Sequence, residues 1–241
     1  MRSLFKGIKG IIILIFLVII FIIGYFIIDG YNLYKSVLEE VSLQDKVAQI
    51  TNDEDYVNLE DIDKEYINAV IAVEDKRFYE HFGIDLYSIG RALLNNIENQ
   101  EIIGGGSTIT QQLAKNMYFD QKKKLTRKVA ELFVAFDLEE NYSKDDILEM
   151  YVNVIYFGDG YYGIKEASNG YFQKQPAELD LNEATLLAGI PNAPSAYQLS
   201  NNSSYTYQRQ IIVINSMVDC GYLDRETADN LINKIKESKG I

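Results

Sequence analysis

The run Gly104-Gly-Gly-Ser-Thr-Ile-Thr-Gln-Gln-Leu-Ala-Lys-Asn116 decides how this chain is read. Three glycines make a turn, and a helix is expected to start after them with Ser107 as its N-cap. At about 3.6 residues per turn, Thr108, Gln111, Gln112 and Lys115 share one face, while Ile109 and Leu113 fall on another. Lys122, Lys123 and Lys124 come next, followed by Arg127 and Lys128. A chain of net charge −12 that gathers its cations in one place is expected to hold an anion there. Phosphate fits, because a glycine-rich helix start presents unpaired N–H groups.

Outward from that run, the 241 residues suffice for one ordinary domain plus an appendage. The appendage is N-terminal. From Gly10 to Ile28 no residue is charged, and Lys9 and Asp29 bracket the run. As a helix it is long enough for the ~30 Å hydrocarbon layer. Arg2, Lys6 and Lys9 precede it without any acid, which predicts a cytoplasmic N-terminus and an extracytoplasmic remainder. The apolar run is too long for a signal peptide and lacks a small-residue cleavage site, so an uncleaved anchor is expected. Four segments follow: a cytoplasmic flank (1–9), a transmembrane anchor (10–28), a stalk (29–55) and a catalytic domain (56–236). Without the three basic residues of the flank, 20 Lys and Arg stand against 35 Asp and Glu, which excludes a nucleic-acid partner. One cysteine and one histidine exclude an internal disulfide and a His/Cys zinc cage.

From Asp61 onward the periodicity is helical, and no alternating strand run exceeds a few residues. Helices are expected at Ile62–Val73, Leu86–Glu98, Thr108–Met117, Thr126–Leu138, Lys144–Asn153, Ile164–Phe172, Asn182–Gly189, Tyr205–Val218 and Arg225–Lys236. Ser143 with Asp146 reads as a capping box. The fold class is therefore mainly α.

Three constellations carry possible chemistry. Ile67, Val70, Ile71 and Glu74 lie on one helical stripe, so either Glu74 ends an apolar face in a partly desolvated place that suits a general base, or the helix stops at Val73 and Glu74 points into solvent. The next residues cluster Asp75, Arg77, Glu80 and His81 around Phe78 and Phe82, although a lone histidine is more often a structural hydrogen-bonder than a catalyst. Lys124, Arg127, Lys128 and Glu131 share a second face, opposite a core stripe of Val129, Leu132, Phe133 and Phe136. Alone, that face reads as solvated, with an Arg127–Glu131 pair worth ~0.3 kcal/mol. Beside Lys115 it reads as an anion site. Glu149 and Asn153, four apart, read more simply as supports of their own helix. Met117, Tyr118 and Phe119 beside the lysines are a candidate tip for dipping into a membrane interface.

Taken in order, these segments resemble the peptidoglycan glycosyltransferases, the lysozyme-like family 51 that polymerises lipid II. Glu74-Asp-Lys-Arg-Phe-Tyr-Glu-His-Phe-Gly83 matches that family's first motif and Gly105-Gly-Ser-Thr-Ile-Thr-Gln-Gln112 its second. Arg127-Lys-Val-Ala-Glu131 matches the third. Lys144-Asp-Asp-Ile-Leu-Glu-Met-Tyr-Val-Asn153 matches the fourth, with Val152 where leucine is usual. The fifth, normally two arginines, keeps only Arg209, at a position that looks structural. The resemblance runs from about Asp55 to Asp229. It implies a lysozyme-like helical domain with a smaller membrane-proximal lobe. The transpeptidase elements of bifunctional relatives are not found, so a single-activity, membrane-anchored form is expected.

What the resemblance implies chemically is inverting transfer. Glu74 is the expected base and Glu131 the second carboxylate, orienting cations. Lys115, Arg127 and Lys128, with the Ser107–Thr108 helix start, are expected to receive the leaving diphosphate. Asp75, Phe78, His81, Gln111 and Gln112 complete the expected substrate contacts. The partners implied are lipid II, the growing lipid-linked glycan, the membrane and other cell-wall synthases. No cofactor is required by the sequence, and a divalent cation (Mg or Mn) is compatible with it. Two rivals share the same residues: a lytic enzyme using Glu74 as an acid, and a non-catalytic wall-binding scaffold.

Overall fold

A computed structural model describes residues 2–90, 106–119 and 124–239. Among these the regular structure is helical, and the only β pairings are the isolated bridges Phe82–Ile84 and Tyr156–Tyr162. The helices are α1 (Arg2–Glu40), α2 (Leu43–Thr51), α3 (Lys64–Glu74), α4 (Ile109–Tyr118), α5 (Leu125–Asn141), α6 (Lys144–Val154), α7 (Gly163–Phe172), α8 (Leu181–Gly189), α9 (Ser204–Asp219) and α10 (Arg225–Lys239). Of the helix expected over Leu86–Glu98, residues 86–90 are helical and the rest lies outside the described residues, as do Gly104, Gly105, Lys122 and Lys123.

Local chemistry sets most of these boundaries. The Asp63 side chain accepts from the Tyr66 N–H and opens α3, and Ser143 with Asp146 forms the expected capping box for α6. Gly163 starts α7 at φ +76°, where a Cβ would meet the Asn153 carbonyl at 2.6 Å, so only glycine fits. Helices α3, α8 and α9 pack on one another, and α4 packs between α5 and α6. One main core joins them through Tyr66, Val70, Phe78, Ile109, Leu113, Val134, Leu138, Ile147, Tyr151 and Leu187. A smaller cluster of Ile214, Ala228, Ile232 and Ile235 seats α10 on α9.

Two expectations are corrected here. Residues 29–55 are not a free-standing stalk. Helix α1 runs on unbroken to Glu40, and Leu33, Tyr34, Val37 and Leu38 repeat at helical spacing along the side toward α5. Leu43 is buried in the main core, with Val47 and Ile50 packed on it. The apolar run Gly10–Ile28, by contrast, has no protein packed around it and is long and apolar enough to cross a membrane. Secondly, Met117 is buried while Tyr118 and Phe119 pack on the core, and Tyr118 Oη donates to the Val41 carbonyl. Tyr118 ties α4 to the chain after α1, and the three residues form no exposed tip.

Helix α5 has three working faces. Ala130, Val134, Ala135 and Leu138 enter the core, in place of the expected stripe of Val129, Leu132, Phe133 and Phe136. Thr126, Val129, Phe133 and Asp137 meet α1, and Phe136 is exposed. Arg127, Lys128 and Glu131 occupy the third face.

Candidate active site

Glu74 is the last residue of α3, where the apolar stripe delivers it beside α4 and α9. Its side chain is 8% exposed. Gln112 Nε2 donates to one carboxylate oxygen at 2.7 Å, and Arg209 Nη2 approaches the other at 3.2 Å. Both partners are donors, so both oxygens are presented as acceptors. Tyr151 Oη in turn bonds Gln112 Oε1 at 3.3 Å, which sets the amide's orientation. Burial raises the proton affinity of the Tyr66 and Tyr151 phenols, and the nearby Glu74 charge raises both further. Two neutral phenols therefore back the carboxylate from the core side.

One turn along α4 from Gln112 stands Lys115. Burial lowers the proton affinity of its ammonium; Glu131 and Glu74 pull it back up, and Arg127 and Lys128 depress it further. Lys115 thus lies within electrostatic reach of both carboxylates and both cations. Glu131, only 1% exposed, sits between Arg127 Nε at 2.8 Å and Lys128 Nζ at 2.9 Å. Lys128 Nζ also donates to Ser107 Oγ at 2.7 Å. On this face Arg127 and Glu131 are drawn out of water, while Lys124 and Lys128 stay partly exposed, so the solvated-face reading holds for only half of it. A cavity of about 540 Å³ opens next to Lys115, walled by Asn116, Tyr156, Tyr162, Pro191 and Asn192. The rings of Tyr156 and Tyr162 lie 4.7 Å apart along it, and Glu74 does not line it.

Several expected substrate contacts turn out to be internal joints. Thr108, not Ser107, caps α4: its side chain accepts from Gln111 N–H and donates to the Gly83 carbonyl at 2.8 Å. Gln111 is buried, and its amide donates to the same carbonyl. Asp75 accepts the Ile109 N–H at 3.0 Å and both of its oxygens face His81 Nε2 at 2.9 and 3.0 Å. Since a carboxylate only accepts, Nε2 carries the imidazole proton, and the buried Nδ1 makes no hydrogen bond. Phe78 is fully buried, with the Lys144 ammonium 4.5 Å above its ring. Asp75, Phe78, His81, Thr108 and Gln111 therefore stitch the 75–83 loop to the start of α4. They also occupy the Ile109 and Gln111 N–H groups, so at those two positions the helix start does not offer free donors to a phosphate. The anion-attracting groups are the cationic side chains.

Glu149 and Asn153 do more than support their own helix: Glu149 accepts from Tyr56 Oη and the Leu59 N–H, and Asn153 brackets Val57, so the two tie the segment before α3 onto α6, while Asn153 Nδ2 also donates to the Glu149 carbonyl. Among the described residues no group of three or more His, Cys, Asp or Glu side chains is placed to hold a metal ion.

A model of the transglycosylase family matches residues 43–218. The chain belongs to that family. Penicillin-binding protein 1F of Bacillus subtilis (strain 168) is 42% identical over 212 residues, covering 87% of this transglycosylase and 30% of that protein. Penicillin-binding protein 1A of Aquifex aeolicus (strain VF5) is 41% identical over 179 residues, 74% of this chain and 25% of its own. The transglycosylase thus spans under a third of the length of these curated relatives. The crystal structure of penicillin-binding protein 1A from Haemophilus influenzae aligns over 73% of the transglycosylase and 17% of its own chain, at 21% identity and a TM-score of 0.43.

Arg209, Tyr66 and Tyr151 are the site residues that sequence reasoning missed. Arg209 had a signal, as the one arginine kept in a degraded pair, but helical spacing alone does not say that α9 crosses the end of α3. The tyrosines carried none beyond their places on core stripes.

Proposed function

We propose that this chain is a peptidoglycan glycosyltransferase that polymerises lipid II into β-1,4-linked glycan with inversion and release of undecaprenyl diphosphate. The observation that carries the reading is the common site: an acceptor carboxylate at Glu74 bonded by Gln112, and one turn further along α4 a half-buried lysine, Lys115, on the helix that packs against the Arg127–Lys128–Glu131 cluster of α5. Glu74 takes the proton of the acceptor GlcNAc 4-hydroxyl as its oxygen attacks the anomeric carbon of the donor MurNAc. The bond from that carbon to the diphosphate oxygen breaks on the opposite face. The departing negative charge is met by Lys115, Arg127 and Lys128, the last two already held in place by Glu131.

Gln112 and Arg209 hold the Glu74 carboxylate in one orientation, so little reorganisation is needed when the hydroxyl arrives. Glu131 keeps the Arg127 and Lys128 side chains from splaying apart. A lytic enzyme that protonates a leaving sugar has no use for such a cation cluster. We place the N-terminus in the cytoplasm and the domain outside, from the basic flank at Arg2, Lys6 and Lys9. The membrane then concentrates enzyme and lipid-linked substrates on one surface.

Purified full-length protein with labelled lipid II tests the reading by gel. A ladder of polymer that disappears with Glu74→Gln supports it. Shortening of preformed glycan instead, or binding of lipid II without extension, refutes it.

A further inference from the structure

We infer that α1 is a rigid strut whose docking on α5 fixes the cation site at the membrane–water boundary, the depth at which the diphosphate of a lipid-linked substrate lies. The identity of that ligand rests on the glycosyltransferase reading above; the strut itself rests on geometry. Nineteen helical residues from Gly10 to Ile28 span about 28 Å, close to the ~30 Å hydrocarbon layer. Docking starts at the next residue, with no linker between. Thr126 Oγ1 donates to Asp29 Oδ2 at 2.6 Å. At Gly30 the two helices are so close that a Cβ would lie 2.6 Å from the Val129 side chain. Further along, Tyr34 Oη donates to Asp137 Oδ2 at 2.6 Å, and the Tyr31 and Tyr34 rings flank Phe133 with centroids 5.3 and 5.5 Å away.

The level of the anchoring contacts is the level of the chemistry. Thr126 and Val129, which grip Asp29 and Gly30, are interleaved along α5 with Arg127, Lys128 and Glu131, turned by about 100° per residue onto another face. A flexible tether of equal length would let the domain ride at any height. A continuous helix gripped over three turns does not. Bilayer thickness therefore reaches the site directly: a thicker or thinner hydrocarbon layer tilts or shifts α1, and the cations move with it.

The test uses the full chain in phosphatidylcholine vesicles whose monounsaturated acyl chains run from about 14 to about 22 carbons, and an optimum of about fivefold in initial lipid II polymerisation rate is expected across that range. A fluorophore on Leu125→Cys, in a Cys220→Ser background, reports the depth of the start of α5 by brominated-lipid quenching without needing turnover. Its depth should shift with acyl length in step with the rate. Asp29→Ala with Tyr34→Phe removes both inter-helix hydrogen bonds without a clash and should flatten both profiles; Gly30→Leu should do so more strongly if it folds. Depth and rate independent of thickness in the parent protein, or an unchanged profile in the Asp29→Ala/Tyr34→Phe variant, overturns the strut. Depth that tracks thickness while lipid II is never polymerised leaves the strut standing and removes the glycosyltransferase reading instead.

Discussion

Glu74 and Glu131 are both buried carboxylates at one site, yet their surroundings differ in kind. Glu74 is held by one neutral amide and one arginine, with two phenols behind it. Glu131 lies between two cations and is the more deeply buried. The first arrangement leaves an oriented acceptor, and the second ties its charge up in holding other charges. The lesson is that burial alone does not assign a catalytic role to a carboxylate; the charge state of its neighbours does.

The sharpest way to break this comparison is Glu74→Gln. Polymerisation of lipid II should fall by about 10³-fold with a modest drop in thermal midpoint, because a glutamine loses the base and also turns an NH2 toward one of the two donors that the carboxylate accepts from. Thermal denaturation and the gel assay on one preparation decide it, and activity within tenfold of the parent removes Glu74 from the base role. Glu131→Gln should show the reverse emphasis. Removing the shared carboxylate leaves Arg127 and Lys128 facing each other, costing about 2 kcal/mol of stability once the partial exposure of Lys128 is discounted. A loss of activity without any loss of stability would mean that Glu131 acts on the substrate and not on the cations.

Arg209→Met tests whether Glu74 needs its cationic neighbour. The turnover number should drop by up to about 10²-fold with KM little changed, since misorientation of a base harms the transition state more than binding. The smallest effect expected is in pH dependence. The Lys115 ammonium is held below the usual lysine range, chiefly by burial. Only the charged form attracts diphosphate, so affinity is full below that lowered pKa and is lost as pH rises through it. Inhibition by inorganic pyrophosphate should weaken at a lower pH than an ordinary lysine would give. Lys115→Arg should move that alkaline limb upward, and an unmoved limb assigns it to another group.

Much of the fold was legible because helix caps and apolar stripes are local. The expected helices from Lys144 onward agree with α6 to α10 within a few residues, and the Ser143–Asp146 box is as read. Glu74 was placed at the end of its stripe by period alone. Two things were not legible, for related reasons. Residues 29–40 carry a helical stripe of Leu33, Tyr34, Val37 and Leu38, but polar residues between them and Asp29 at the membrane edge broke the pattern to the eye. In the first two motifs, Asp75, His81, Thr108 and Gln111 are expected as ligand contacts because the family resemblance carries them over. Their partners are the Gly83 carbonyl and the Ile109 and Gln111 N–H groups, with Asp75 and His81 also facing each other, and all are brought together by the loop's path, which a sequence does not display.

The seam between α1 and α5 also bears on how this protein should be handled. Cutting the chain after Ile28 keeps Tyr31 and Tyr34 over Phe133 and should yield a well-behaved soluble fragment. Cutting after Glu40 strips that cover, leaving Val129 and Phe133 as a bare greasy furrow on which two fragments would clasp each other, so a trimmed preparation that clumps would be reporting the missing helix and not a misfolded domain.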